Sequence, residues 1–166
     1  TGPGLAPCRW RPVSSNVRLH NTLMPTPGSI SLAIGATLSA LAAVAHLACV
    51  VVGPSAYRFM GAGEAMARGV EAGRLQPTLV TLAIATVLMV WAAYALSAAG
   101  FISRLPLTKL AVLAITAVYL GRAVAFPLLR PAFPENSTTF WLVSSGICLV
   151  IGLLHAYGLA TRWSAL

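Results

Sequence analysis

Residues 78–99 read TLVTLAIATVLMVWAAYALSAA, without a charged side chain, a glycine or a proline in the run. As a helix this stretch extends for about 33 Å, enough to cross the roughly 30 Å hydrocarbon core of a bilayer. Residues 30–52, 106–126 and 140–160 are apolar runs of similar length, uncharged except for Lys109 and Arg122 in 106–126. Lipid offers no hydrogen-bond partner to a backbone, so apolar runs this long are helical. The expected fold is therefore an all-α membrane protein, an antiparallel four-helix transmembrane bundle over residues 30–160 with a short tail at 161–166.

Composition points the same way. Hydrophobic residues make up 58% of the chain and charged residues 8%, where a soluble domain carries about a quarter charged residues. The net charge of +8 comes from eleven basic residues scattered singly. They form no basic and aromatic stripe, so they read as topology signals and lipid-headgroup contacts, and no nucleic-acid partner is expected. Asp is absent, and the acids are Glu64, Glu71 and Glu135, which starves most acid–base mechanisms. Cys8, Cys49 and Cys148 lack CxxC spacing, so thiol exchange is not expected and they read as small core residues.

Residues 1–29 read as a disordered or mis-assigned N-terminal extension. The stretch begins without Met, carries Pro3, Pro7 and Pro12, and places Met24 just before the Pro25-Thr26-Pro27-Gly28 entry to the first run. It does not have the layout of a signal peptide. Counting Lys and Arg on each side puts Arg9, Arg11, Arg18, Arg104, Lys109 and Arg162 against Arg58, Arg68, Arg74 and Arg130. That excess favours both termini in the cytoplasm, and it reverses to three against four if residues 1–23 are left out.

The turn at 100–105 is short enough to force a hairpin, and 127–139 is stiffened by Pro127, Pro131 and Pro134. In the first loop, residues 62–72 have helical composition with Glu64 and Arg68 at i,i+4. The spacing predicts a short interfacial helix anchored by Tyr57, Phe59 and Met60, the alternative being a solvated loop. The glycines around it lack GxGxxG spacing, because Met66 stands where the third would fall.

Small residues recur at helical spacing as Gly35, Ser39, Ala42, His46 and Cys49 in the first run, and as Ser145, Cys148, Gly152 and Ala156 in the fourth. They read as faces of close helix contact. Polar exceptions sort by depth. His46 falls about 7.5 Å to the non-cytoplasmic side of its midpoint and His155 about 7.5 Å to the other, so they cannot share one haem or metal. No metal or cofactor is expected. Trp91, Tyr94, His155, Tyr157 and Trp163 read as interface anchors and packing residues.

Arg122 is the costliest residue, about 9 Å from its midpoint, where an arginine costs up to about 2.5–3.5 kcal/mol on insertion scales. Its side chain leans toward the bilayer centre, which calls for a partner inside the bundle. The expected ligand-binding cluster is His46, Tyr119, Arg122 and Ser145, with Ser144 at similar depth and Glu64 folding down from the loop. The alternative is that Arg122 reaches lipid phosphate and His46 bonds a neighbouring helix.

The run His46, Gly53-Pro54, Tyr57-Arg58-Phe59, Gly61-Ala62-Gly63-Glu64 and Met66-Ala67, followed by three further runs, resembles small uncharacterised four-helix inner-membrane proteins of bacteria. The resemblance implies the architecture over 30–160 and an inner-membrane location, and brings no activity with it. The leading functional expectation is a non-enzymatic membrane protein that binds lipid or a small anion, or serves as a homo-oligomer or membrane partner subunit. A dimeric transporter comes second, although no intramembrane acid or broken helix marks a coupling site. A lipid-modifying enzyme with His46 as base comes third.

Overall fold

The computed structural model describes residues 25–166, which are helical with no strand among them. The expectation of an N-terminal extension falls mostly on residues 1–24, outside the described residues. Its boundary at 29 is three residues too late, because helix α1 spans Pro27–Val52 and buries Gly28 and Ser29. Thr26 caps α1 by accepting from the Ser29 N–H at 3.2 Å, and Pro27 fills a first-turn position whose N–H would be unpaired anyway. The helix stops at Gly53, whose φ of 87° suits glycine.

Two short helices follow, α2 at Pro54–Phe59 and α3 at Glu64–Glu71. Helix α4 spans Gln76–Ala99 and ends on left-handed Gly100. Helix α5 spans Thr108–Val124, α6 is the single turn Phe126–Leu129, and α7 spans Thr138–Arg162, capped by Ser137 accepting from Phe140 N–H at 3.1 Å. Helical turns of 3-10 type lie at Arg130–Ala132 and Trp163–Ala165.

Helices α1, α4 and α7 are each long and apolar enough to cross a membrane. The third apolar run differs from its expected straight form. Its 17 residues in α5 reach about 25 Å, and the chain then bends by 66° into Phe126–Ala132. Pro127 explains the break, since it lacks the N–H that would bond the Ala123 carbonyl and its ring clashes with that carbonyl.

Helix α1 packs on α4 and α7, and α5 packs on α7 and α4. The contacts are close because the residues are small: Ala36, Ala92 and Ala95 form one buried cluster, and a Cβ on Gly152 would come 2.7 Å from Leu120. One end is closed by Arg162, whose Nε donates to the Ala98 carbonyl at 2.8 Å and whose Nη1 donates to Thr26 and Ser29. This joins the start of α1 to the ends of α4 and α7. The opposite end carries α2 and α3 as a cap.

Tyr57, expected to anchor the cap in lipid, is 1% exposed and packs on Cys49 and Ala67. Phe59 is the exposed aromatic there, at 83%. The cap thus has its own small core, which a reading of single aromatic residues as anchors does not foresee.

Candidate functional site

Helix α5 carries Arg122 in its last turn. Its Nη2 donates to Ser144 Oγ at 3.4 Å, its Cζ lies 5.1 Å from the centre of the Trp141 ring, and its Nη1 is buried without a partner. These contacts place Arg122 against α7. No ion pair among the described residues includes it.

Two more polar atoms in this region are buried and unpartnered, Trp141 Nε1 and Ser145 Oγ. Trp141 and Ser145 stand at i,i+4 on one face of α7, so Arg122 meets a short polar strip. Guanidinium and indole N–H groups only donate, and a hydroxyl can do so. The strip therefore holds several donors and no carboxylate. Buried donors left unpaired are costly, a buried charge most of all. What such a group lacks is an acceptor, and an anion supplies several.

The remaining expected members lie elsewhere. Glu64 does not fold down to Arg122; it accepts two hydrogen bonds from Arg58 at 2.9 Å and one from Arg68 at 3.1 Å. These bonds, Arg58 first, hold its carboxyl down to about 2, and the pairing with Glu64 and then Glu71 pushes the Arg58 guanidinium above its ordinary range. His46 is half-buried and its Nδ1 donates to the Ala42 carbonyl of its own helix at 2.7 Å. Tyr119 lies one turn deeper than Arg122, with its hydroxyl 2.8 Å from Ser39 Oγ.

Tyr119 belongs to a second polar centre. Its ring meets Trp91 edge-on at 5.3 Å and His155 at 5.6 Å. His155 is 0% exposed, donates from Nδ1 to the Ile151 carbonyl at 2.8 Å, and leaves Nε2 without a partner. His155 is thus an interior packing residue and Trp91 a partly buried one, which fits the packing half of the expectation and not the interface-anchoring half. His155 touches Gly35, and His46 lies eleven residues further along α1, about 16 Å away by helical rise. The two histidines cannot ligate one ion.

Sequence reasoning missed Trp141. It stands second in its apolar run, where an indole ordinarily reads as a headgroup anchor. The available signal was Arg122 within one turn of its depth on a neighbouring helix, the pairing that places a cation over an indole face. The loops also meet: Asn136 Nδ2 donates to the Gly61 carbonyl at 3.0 Å, Gly61 packs on the Phe140 ring, and Phe133 and Phe140 both stack on Trp141. An aromatic layer thus lies between the cap and Arg122. No protein-family model, characterised protein or solved structure matches this chain.

Proposed function

We propose that this chain is a non-enzymatic integral membrane protein whose four apolar runs cross the bilayer as an antiparallel bundle and which binds an anionic group at Arg122. The observation that carries the reading is the buried, unpartnered Nη1 of Arg122, whose Cζ lies 5.1 Å from the centre of the Trp141 ring, itself with an unpartnered Nε1. Support for membrane insertion comes from the outward faces of the long helices, where Leu79, Val87, Leu113, Ile147 and Leu153 are exposed. In water these faces would be aggregation surfaces; in lipid they are solvated.

The bacterial inner membrane, with both termini cytoplasmic, is the location that best fits the resemblance and the distribution of Lys and Arg. In that orientation the Arg122 cluster and the α2–α3 cap lie on the non-cytoplasmic side. Reporter fusions at residue 166 and in the loop at residue 135 test it: activity of a cytoplasm-dependent reporter at 135 and not at 166 would reverse the orientation.

The binding reading is tested by purifying wild type and Arg122→Gln in mild detergent and identifying bound species by mass spectrometry. An anionic species is expected with wild type and not with the variant. Equal occupancy in a folded variant would sink the reading. The 66° break beside Arg122 favours a transporter as the second reading, because interrupted helices line transport sites. Arg122-dependent uptake of an anion into proteoliposomes would promote it.

A further inference from the structure

We infer that the anion is the phosphodiester of a membrane phospholipid, which enters sideways from the bilayer beneath the α2–α3 cap; this rests on the anion-binding reading above. The ligand class follows from the donors. Arg122, Trp141 and Ser145 each carry a buried nitrogen or hydroxyl without a partner, and a tetrahedral oxyanion has oxygens enough for several such donors. Arg122 is a point of fixed charge, with Glu64 already occupied by Arg58 and Arg68 and Glu71 by Arg58.

The route follows from what covers the cluster. Toward the cap, Phe133 and Phe140 stack on Trp141, and Gly61 is held down by Phe140 and Asn136. A soluble anion would have to shed its water and pass this apolar layer. Along the helices the positions next to the cluster carry no side chain. Gly121 precedes Arg122 and Gly146 follows Ser145; both are exposed, and a Cβ at either would meet no atom within 4 Å. Glycine at these two positions leaves open helix surface beside Arg122 and Ser145, where a headgroup can settle and the guanidinium can turn out to meet it while the acyl chains stay among the exposed apolar side chains of α5 and α7. Leu142, Val143 and Ile147 provide that surface.

The experiment uses the full chain in a neutral sugar detergent, read by native mass spectrometry and by thermal unfolding. Phosphatidylglycerol is expected to form a one-to-one adduct and raise the unfolding temperature, whereas diacylglycerol of the same chains and millimolar inorganic phosphate do neither. Arg122→Gln abolishes the adduct. Gly121→Leu and Gly146→Leu, which add bulk in open space and keep every donor, weaken it by about tenfold or more. If inorganic phosphate stabilises wild type as well as the lipid does and the leucine variants bind normally, the lipid inference falls and anion binding stands. If Arg122→Gln keeps the adduct, both fall. Should Arg122→Gln not fold, the leucine variants and Arg122→Lys carry the test, with undiminished lipid binding in all three overturning the inference.

Discussion

A methyl group on Gly35 would lie 2.7 Å from Cε1 and 2.8 Å from Nδ1 of His155, so α1 and α7 approach as closely as they do because position 35 has no side chain. The imidazole cannot retreat, since its Nδ1–H is held by the Ile151 carbonyl and its face rests on Tyr119. Gly35→Ala is expected to destabilise the protein by about 1–3 kcal/mol, the range for overpacking a filled core. Thermal unfolding in mild detergent checks it. Adding His155→Ala should recover part of the loss, and no recovery would show that the two residues do not compete for that space.

The Ser39–Tyr119 hydrogen bond joins α1 to α5 in the interior. Ser39 Oγ also donates to the Gly35 carbonyl at 3.0 Å, which leaves Tyr119 as the donor between the two hydroxyls. Bonds of this kind inside membrane bundles contribute about 0.6 kcal/mol on average and up to about 1.7. A double-mutant cycle with Ser39→Ala and Tyr119→Phe should return a coupling in that range. Additive effects would mean the bond contributes nothing to stability.

The cap should withstand mild acid. Arg58 and Arg68 hold Glu64 to about 2 in the folded chain against an ordinary 4.5. Because folding lowers this value, the stabilisation is complete above the ordinary value and is lost as the pH falls from there toward the folded one. Hydrogen exchange over residues 54–71, corrected for intrinsic rates, should show equal protection at neutral pH and at about pH 5, then a decline below the ordinary carboxylate range. Arg58→Gln should lower the protection at neutral pH and shrink the decline, because the folded value then returns toward the ordinary one. Loss of protection above about pH 5 would assign the cap's stability to another group.

The long helices were legible in the sequence because apolar run length is a property of single segments. Three of them extend two or three residues beyond the apolar runs at their starts, where Thr26 and Ser137 act as caps in α1 and α7. The break in the third was written in Pro127, yet its angle depends on what α6 packs against. The polar residues were harder. Depth arithmetic correctly separates His46 from His155, and it puts Arg122 level with Ser144, to which it bonds. Depth says nothing of azimuth, however, and azimuth decides that Tyr119 turns to Ser39 and His155 while Arg122 turns to Trp141. The Glu64–Arg68 pair at i,i+4 is present as its spacing predicts, but Glu64 turns to Arg58, six positions away in the cap, and not down to Arg122, because spacing does not constrain how far a loop residue reaches.

Arg122 should behave as a residue kept for binding at the expense of stability. With no counter-ion among the described residues and one nitrogen buried and unpartnered, its charge is uncompensated in the lipid-free protein. Even a buried ion pair can often be replaced by apolar side chains of similar volume with no loss or a gain of about 1–4 kcal/mol, and a buried charge with no counter-ion has less to lose. Arg122→Met, which can pack on the Trp141 ring as a thioether, should therefore unfold at the same temperature as wild type or higher in lipid-free neutral detergent. Added phosphatidylglycerol should reverse the order, because a ligand that binds only the folded wild type raises its stability by mass action and leaves the variant where it was. A variant less stable than wild type under both conditions would mean that the guanidinium is a packing element satisfied by Ser144 and Trp141 alone.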